Sequence, residues 1–443
     1  MPNRKASPIL WQSEDSQVTL VDIPRSIASA QGTHDQPCHD LLYSTQPQTK
    51  PYQTNEPKSA AARSKLVGNT VDTELHRVYA ELLNDALGKV RVVYLSHWCL
   101  PRQFFEMPTK SSSKRKLDAI DVGDLSAPEA STTTTPQGRS RGDDAPNDPL
   151  SKLSQQAFSI VHGLESTEES YSYRYSPPSN VNSRASFSVR VKTGDHETPH
   201  DFFIPPNSSF ILGPCTDART LHTHIRAQAQ ELDVPKKFDF ILLDPPWPNR
   251  SVRRTHKTAH STYSTAESLE DIYQLLMGMD LDVLMADSCL VAIWITNKPA
   301  VRDLVLGENG IFDCWGVELV EEWVWLKTTA DGEPVTPLDS VWRKPYEILL
   351  LGRKSNQYSV PVGEVSIVHP PISRKVLMSV PDLHSRKPCL KELIEPYISG
   401  RNGYRALEVF ARHLVSGWWS WGDECIKFNE KQYWQCDSSP SEG

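Results

Sequence analysis

The chain has 443 residues, of which 38% are hydrophobic and 23% charged, enough for about two or three domains with cores of their own. Because the formal net charge is −8, no global positive field draws the protein onto a polyanion, and any nucleic-acid contact must come from local basic patches. The eight cysteines form no C-x-x-C pair, which predicts reduced thiols and no metal site. No apolar run approaches the roughly 20 residues of a membrane span, so we expect an intracellular protein that makes no membrane contact.

The amino-terminal part of the sequence is mostly polar. Residues 1–58 are rich in Gln, Ser, Thr and Pro and are predicted to be mostly disordered, although the apolar runs at 9–11 and 18–21 could dock as strands. Apolar residues at helical spacing predict a helix over 58–87. A strand is expected over 91–95.

Residues 59–107 and 151–208 are predicted to form a smaller α+β accessory domain. Between them, residues 108–150 are Ser-, Thr- and Pro-rich and predict a disordered linker, since they cannot bury enough apolar area to fold. The basic run Lys114-Arg115-Lys116 in this linker is a candidate nuclear import signal. We therefore expect a nuclear protein and leave a cytoplasmic pool open. The alternative for the basic run is an ordinary solvated charged segment.

From residue 209 onward, apolar runs alternate with amphipathic helices. Runs that read as buried strands occupy residues 238–243, 290–295, 323–326, 348–351 and 406–410. Helical spacing predicts helices after a Ser264…Glu267 capping box and over 390–398. Strands alternating with helices predict an α/β fold with a largely parallel sheet. Residues 209–430 would form this domain and 431–443 a flexible tail.

The tetrad Asp244-Pro245-Pro246-Trp247 follows directly on the predicted strand 238–243, at the sheet edge where open α/β sheets bind ligands. The Asp244 carboxylate and the Pro245 carbonyl can each accept one hydrogen of an exocyclic amine, which stabilises the positive charge that develops as the nitrogen attacks a methyl group. The prolines Pro245 and Pro246 fix the loop, and Trp247 offers an aromatic face for an unpaired base. The alternative is a rigid Asp-Pro-Pro turn with a packing tryptophan.

A basic cluster follows the tetrad and suits phosphate contacts beside an extruded base. Its members are Arg250, Arg253, Arg254, His256 and Lys257. Arg343 and Lys344 could add to it, and Tyr263 could stack on a base. A solvated charged face, with Tyr263 capping a helix, is the alternative.

Four segments in this order resemble the MT-A70 family of N6-adenine methyltransferases, namely 241–250, 289–296, 322–327 and 406–412. The resemblance covers about residues 209–428. The long amino-terminal extension and the ending Trp418-Trp419-Ser420-Trp421-Gly422 look like the methyltransferase-like 4 branch. Membership would imply a Rossmann-like methyltransferase sheet with helices on both faces, S-adenosylmethionine as the cofactor, and Asp244 to Trp247 as the catalytic tetrad.

The resemblance also implies a cofactor site assembled from distant segments. Lys387, just ahead of a predicted helix, would bind the methionine carboxylate, and Asp244 would also belong to the cofactor site. Glu408 and Arg412 match the family's Leu-Glu-Leu-Phe-Gly-Arg signature, with the arginine reaching the ribose. The family's glycine is Ala411 here, and His413 stands where Pro-His-Asn commonly begins.

Four further acidic residues are implied by the same resemblance. Asp423 and Glu424 stand where Asn-Gln is frequent and could accept from the ribose hydroxyls. Asp217 stands where relatives hold the cofactor adenine, and Glu347 aligns with a glutamate near the acceptor pocket. The alternatives are an ordinary loop aspartate for Asp217, a surface acid at the start of a strand for Glu347 and a solvated lysine at the start of a helix for Lys387.

The leading hypothesis is therefore methyl transfer to adenine N6 in a nucleic acid. The branch resemblance implies RNA, specifically 2′-O-methyladenosine of small nuclear RNA converted to N6,2′-O-dimethyladenosine, with DNA as a further acceptor. A catalytically inactive nucleic-acid-binding or scaffold subunit is the alternative from another class, and a free nucleotide or a protein amine is an alternative acceptor. We expect a protein active as a monomer, with a heterodimer left open.

Overall fold

The fold is built on one mixed sheet that is eleven strands wide. The computed structural model describes residues 7–53, 72–104, 173–175, 184–193, 196–248, 268–340, 344–355, 372–383, 385–398 and 403–436. The predicted linker 108–150, the Ser264…Glu267 capping box and residues 437–443 lie outside these ranges. Within them, no helix is both long and apolar enough to span a membrane.

The strands of the described residues are numbered in chain order. They are β1 Ile9–Gln12, β2 Val18–Val21, β3 Leu41–Leu42, β4 Tyr173–Tyr175, β5 Ala185–Thr193, β6 His196–Ile204, β7 Ser209–Leu212, β8 Phe238–Leu243, β9 Met285–Ile295, β10 Val317–Lys327, β11 Tyr346–Lys354, β12 Ser373–Ser379, β13 Ala406–Val409, β14 Trp418–Gly422 and β15 Trp434–Gln435. All five runs predicted as buried strands in the second half of the chain are confirmed.

The helices of the described residues are α1 Ile23–Ser29, α2 Thr73–Val93, α3 Ala218–Leu232, α4 Leu269–Met277, α5 Pro299–Leu306, α6 Ile311–Trp315 and α7 Lys391–Ile394. The helix predicted over 390–398 is shorter than expected. It ends at Ile394 and continues as a 3₁₀ turn over Glu395–Tyr397, which contains Pro396, a residue without a backbone N–H to donate within a helix.

The sheet has the strand order β1-β2-β12-β10-β11-β9-β8-β13-β14-β7-β4. Strands β9, β8, β13, β14 and β7 are parallel neighbours, as are β10, β12 and β2. Between the two groups, β11 is antiparallel to both β9 and β10. The amino end of β11 therefore lies at the same sheet edge as the carboxyl ends of its neighbours, which confirms a Rossmann-like, largely parallel α/β fold.

Apolar side chains cover both faces of the sheet. On β8, Ile241 and Leu243 point into one core cluster with α2, α3 and α4, while Phe240 and Leu242 point into a second cluster with α1 and α7. Successive residues of a strand face opposite sides, so a strand that is apolar at every position must be covered twice. Helices on both faces are the consequence.

The prediction of disorder over 1–58 is wrong for residues 7–53. β2 pairs in parallel with β12, Val18 opposite Val376, and α1 buries Ile23 and Ile27 completely. The apolar runs at 9–11 and 18–21 are strands, as expected. The segment is ordered because it extends a sheet whose edge is formed by residues far along the chain.

The predicted accessory domain is not separate in the described residues. α2 runs through Val93, so the strand expected over 91–95 is wrong, and the helix packs Tyr79, Leu83 and Leu87 into the main core. β5 and β6 form a hairpin, and Phe202 of β6 packs in a core cluster shared with β7. Both parts pack against the domain built on the main sheet.

The predicted flexible tail is also wrong for residues 431–436. β15 pairs with β3 of the amino-terminal segment, and Tyr433 and Trp434 are buried. These two aromatic side chains supply the apolar area that holds the carboxyl-terminal segment in place.

Candidate active site

Asp244 is the first residue after β8, at the edge where the parallel strands end. Its side chain is 18% exposed, and the following Pro245 is buried. The carbonyl of Pro245 accepts a hydrogen bond of 2.8 Å from the backbone N–H of Trp247, which leaves the second lone pair of that oxygen for another donor. The tetrad is thus a tight, proline-fixed turn that presents a carboxylate and a carbonyl side by side.

A run of alternating charges passes through Asp244. We call it the charge chain, and its members in order are Lys327, Glu347, Lys387, Asp244, Arg412, Glu424 and Lys427. Asp244 is its centre, with Oδ1 at 3.0 Å from Nζ of Lys387 and Oδ2 at 3.1 Å from a terminal nitrogen of Arg412. Both carboxylate oxygens are therefore held in place by cations.

The topology explains why residues so distant in sequence meet. Lys327 ends β10 and Glu347 lies at the amino end of the antiparallel β11. Lys387 follows β12, while Arg412 and Glu424 follow β13 and β14. All these positions are at one edge of the sheet, the edge at which open α/β sheets place their ligands.

The charge chain sets the protonation of Glu347, Lys387 and Glu424. Burial alone would raise the pKa of Glu347, but the ammonium groups of Lys327 and Lys387 hold it well below its usual range. Burial likewise opposes the charge on Lys387, yet Asp244 and Glu347 raise its pKa. In Glu424, Lys427 and Arg412 outweigh burial and lower the pKa. Each group remains charged at neutral pH because it has partners of opposite sign.

Two neighbours of the charge chain are neutral. Burial and the negative charge of Asp244 raise the pKa of Glu408 to about 8, so this carboxyl group retains its proton near pH 7. Burial and the nearby Arg386 lower the pKa of His413 to about 4. The site thus contains a carboxylic acid that can donate a hydrogen bond and an imidazole that carries no charge.

The ring of Trp247 is fixed by its own polar atom. Its indole Nε1–H donates 2.7 Å to the backbone carbonyl of Trp294 in β9, and the ring packs at the margin of the core. Nζ of Lys387 lies 5.3 Å from the ring centroid of Trp294. Trp247 is half-buried and oriented, a state suited to stacking on a planar ligand.

The backbone is strained beside the charge chain. Phe410, immediately after β13, has a φ of +60°, an uncommon conformation for a bulky residue. Gly422 lies across from it with a φ of +153°, and a Cβ there would come within 3.2 Å of Cα of Phe410. The two chain segments therefore stay close just beyond the strand ends, before Arg412 and Glu424 form their ion pair.

The structure brings together most of the residues predicted for the cofactor site. A small cavity at this edge is lined by Asp244, Lys387, Glu408, Arg412 and His413, and Glu424 contacts Arg412. Asp217 instead caps α3, where its Oδ1 accepts from the N–H of Thr220 at 3.1 Å.

Asp423 follows β14 and lies near Cys215, which follows β7. Burial raises the pKa of the Cys215 thiol, and the negative charge of Asp423 raises it further.

The residues predicted to contact nucleic acid are only partly described. Glu347 is a member of the charge chain, and Lys344 contacts Nε2 of His76 at 2.6 Å. The remainder lie outside the described residues: Arg250, Arg253, Arg254, His256, Lys257, Tyr263 and Arg343.

Sequence reasoning missed three residues that contact the site. Lys327 and Lys427 end the charge chain, and Trp294 anchors Trp247. Lys327 directly follows the predicted strand 323–326, so the rule that singled out Asp244 at a strand end would also have found it.

The donor set fits S-adenosylmethionine. Lys387 and Arg412 offer cations for a carboxylate, and Glu424 offers acceptors for ribose hydroxyls. His413 Nε2 is buried and has no hydrogen-bond partner among the described residues, and a buried polar atom of this kind needs a partner.

Comparisons with known proteins agree with this geometry. The MT-A70 family model matches residues 238–424. The chain is 30% identical over 439 residues to the N6-methyladenosine RNA methyltransferase MTA1 of Cryphonectria parasitica, covering 97% of this chain and 95% of that protein. It is 37% identical over 234 residues to the N(6)-adenine-specific methyltransferase METTL4 of Mus musculus, covering 52% of this chain and 45% of that one.

A third relative is the DNA N6-methyl methyltransferase of Caenorhabditis elegans, 32% identical over 50% of this chain and 53% of that protein. The matched family segment begins with β8 and ends at Glu424, and so spans Asp244 and its contacts with Lys387 and Arg412. The chain belongs to the MT-A70 family of N6-adenine methyltransferases.

Proposed function

We propose that this protein transfers a methyl group from S-adenosylmethionine to N6 of adenosine in RNA. The observation that carries the proposal is the position of Asp244, fixed between Lys387 and Arg412 and followed by the Pro245 carbonyl. A carboxylate has about four lone-pair sites, so the two cation contacts leave Asp244 able to accept from an amine.

The protein groups act on the acceptor amine in three ways. Asp244 and the Pro245 carbonyl accept its two hydrogens, which localises the nitrogen lone pair and stabilises the positive charge that develops in the transition state. Trp247, held through Trp294, stacks on the adenine ring. Bound S-adenosylmethionine supplies an electrophilic methyl group on a sulfonium, and Lys387, Arg412, Glu424 and His413 are the residues that would hold it.

RNA is favoured over DNA as the acceptor by the extent of the similarity. The match to a protein named as an RNA methyltransferase covers nearly the whole chain, whereas the match to one named as a DNA methyltransferase covers half. The amino-terminal segments of this chain, which complete the sheet and its core, are therefore shared with the former. As the finer part of the proposal, the acceptor is the 2′-O-methyladenosine of small nuclear RNA, and the protein acts in the nucleus as a monomer.

A catalytically inactive scaffold subunit is the alternative function. It would retain an RNA-binding surface without needing an ordered carboxylate at the sheet edge. The intact Asp244 to Trp247 tetrad, with each oxygen of Asp244 paired to a cation, favours the enzyme.

The test incubates the purified full chain with isotope-labelled S-adenosylmethionine and four matched oligonucleotides. These are RNA and DNA of one sequence, each with adenosine or 2′-O-methyladenosine at the target, and the labelled nucleosides are identified by mass spectrometry. We expect N6-methylated adenosine in RNA, most abundant with the 2′-O-methyl target. Label confined to DNA would overturn the choice of acceptor, and RNA binding without any transfer would support the scaffold.

A further inference from the structure

A second cavity lies next to the tetrad, beyond the end of β9. We call it the flank pocket; it has a volume of about 60 Å³, and among the residues that line it are His76, Tyr79, Thr296, Asn297, Lys298 and Tyr346. It is separate from the cavity lined by Asp244 and Lys387. One wall comes from α2 of the amino-terminal part of the chain, and the other from the carboxyl end of β9 and the start of β11.

Hydrogen bonds link the tetrad to residues that line or adjoin the flank pocket. Trp247 donates to the carbonyl of Trp294 in β9. Thr296 follows Trp294 by two residues, which corresponds to about 7 Å along an extended chain. Nζ of Lys298 donates to the carbonyl of Pro248, the residue after the tetrad. The flank pocket therefore lies beside the ring of Trp247 and the end of the tetrad.

Two side-chain oxygens in the flank pocket are buried. Oγ1 of Thr296 and Oδ1 of Asn297 are buried and have no hydrogen-bond partner among the described residues. The amide of Asn297 is oriented by its Nδ2–H, which donates 2.7 Å to the carbonyl of Tyr346, so its oxygen can only accept. Leaving such buried atoms unpaired costs free energy, and a ligand that offers an N–H recovers it.

The opposite wall is rigid and polar. Nζ of Lys344 donates to Nε2 of His76 at 2.6 Å, and the other ring nitrogen of His76 then donates 2.6 Å to the hydroxyl of Tyr346. Burial and the charge of Lys344 lower the pKa of His76, in agreement with a neutral ring that uses one nitrogen as acceptor and the other as donor. The wall holds Tyr346, and through it Asn297, in a fixed orientation.

We propose that the flank pocket receives the amine-bearing edge of the base adjoining the target adenosine on the same strand, and that it selects adenine or cytosine, whose amine stands at C6 of the purine or C4 of the pyrimidine. The amine donates to Oδ1 of Asn297, and the hydroxyl of Thr296 donates to the adjacent ring nitrogen. Guanine and uracil or thymine carry a carbonyl oxygen at the corresponding position, which would oppose the acceptor of Asn297. The inference rests on the proposed function, because it assigns a specificity subsite to the same acceptor strand.

The test compares RNA strands that differ by single atoms at either neighbour of the target. Adenine is replaced by purine, which lacks the amine, and by 2-aminopurine, which carries it elsewhere, and methylation at the target is measured as kcat/KM. At one of the two flanking positions, we expect adenine to exceed both analogues about tenfold, as one lost base contact predicts. Equal values at both positions would overturn the proposal.

Protein variants link the preference to the flank pocket. Thr296→Val is expected to reduce the ratio of kcat/KM between adenine- and 1-deazaadenine-flanked strands about fivefold, because 1-deazaadenine lacks the ring nitrogen that accepts from Thr296 and one hydrogen bond is at stake. The matched control is Thr328→Val, whose hydroxyl is likewise buried without a partner among the described residues, and which should leave the ratio unchanged. A ratio unaffected by Thr296→Val would contradict the assignment.

Binding competition with the same strands separates this proposal from the proposed function. If no strand is methylated, the proposed function fails. The flank pocket is then still tested by whether the adenine-flanked strand displaces a labelled strand more effectively than the purine-flanked one, and equal competition would overturn it.

Discussion

Lys387 donates a hydrogen bond of 3.0 Å to Asp244, although 143 residues separate the two in the sequence. The contact exists because Asp244 ends one strand of the sheet, while Lys387 lies in the loop after β12, whose carboxyl end faces the same edge. Position at this edge, more than distance in sequence, determines which residues share the site.

The loop that carries Lys387 is anchored by Asp382. This carboxylate is fully buried and contacts Arg386 at 2.9 Å and the backbone N–H of Thr45 at 2.9 Å. Arg102, 3.8 Å from Asp382, donates to the carbonyls of Val380 and Pro381. The amino-terminal segments therefore fix the loop that ends in Lys387.

Asp382→Asn is expected to lower the free energy of unfolding by about 3–5 kcal/mol, because two buried guanidinium groups lose their counter-ion. Affinity for S-adenosylmethionine should fall with it. The measurement is urea denaturation together with calorimetric cofactor binding. Glu81→Gln is the control, since its pair with Arg77 is exposed and worth about 1 kcal/mol or less. A loss for Asp382→Asn no larger than for this control would contradict the anchoring role.

Trp247→Phe keeps an aromatic face but removes the donor to the Trp294 carbonyl. We expect KM for RNA to rise about fivefold, the effect of one lost hydrogen bond on orientation, with a smaller change in kcat. Steady-state kinetics measure both values. Trp434→Phe provides a matched control, because its indole also donates to a backbone carbonyl, that of Phe428, in a buried position outside the site. The same rise in KM for both variants would indicate a general packing effect.

Glu408 makes a pH-dependent contribution to stability. Its pKa is about 8 in the folded protein against 4.5 ordinarily. Between these values the unfolded chain has released the proton while the folded chain retains it, so the contribution of Glu408 becomes less favourable as pH rises. The stability of Glu408→Gln relative to the natural protein should therefore increase from about pH 5 to about pH 8. Melting temperatures of both proteins across this range measure it, and parallel curves would argue against a protonated Glu408.

The second half of the fold could be predicted from the sequence because its signals are local. The run 238–243 is apolar at nearly every position and is followed at once by Asp244 to Trp247, so strand, strand end and chemistry appear together. Residues 7–53 offered only two short apolar runs, at 9–11 and 18–21, in a polar sequence. Their order depends on pairs such as Val18 with Val376, and local composition does not encode a partner so distant.

The same distinction applies within the site. Lys387 and Arg412 were found through motifs, whereas the arrangement that joins them at Asp244 depends on the order of strands in the sheet. Glu347 was expected near the acceptor pocket, and the structure places it between Lys327 and Lys387. Its position follows from the reversed direction of β11, which was not predicted.

The most direct test of the account is the activity of Asp244→Asn, which keeps the size of the side chain and removes its charge. Purified Asp244→Asn and the natural protein are compared for methyl transfer to RNA and, separately, for binding of RNA and S-adenosylmethionine. We expect transfer to N6 of adenosine to fall about 100-fold or more, while RNA binding is retained. Unchanged transfer by Asp244→Asn would contradict the central claim that this carboxylate orients the acceptor amine.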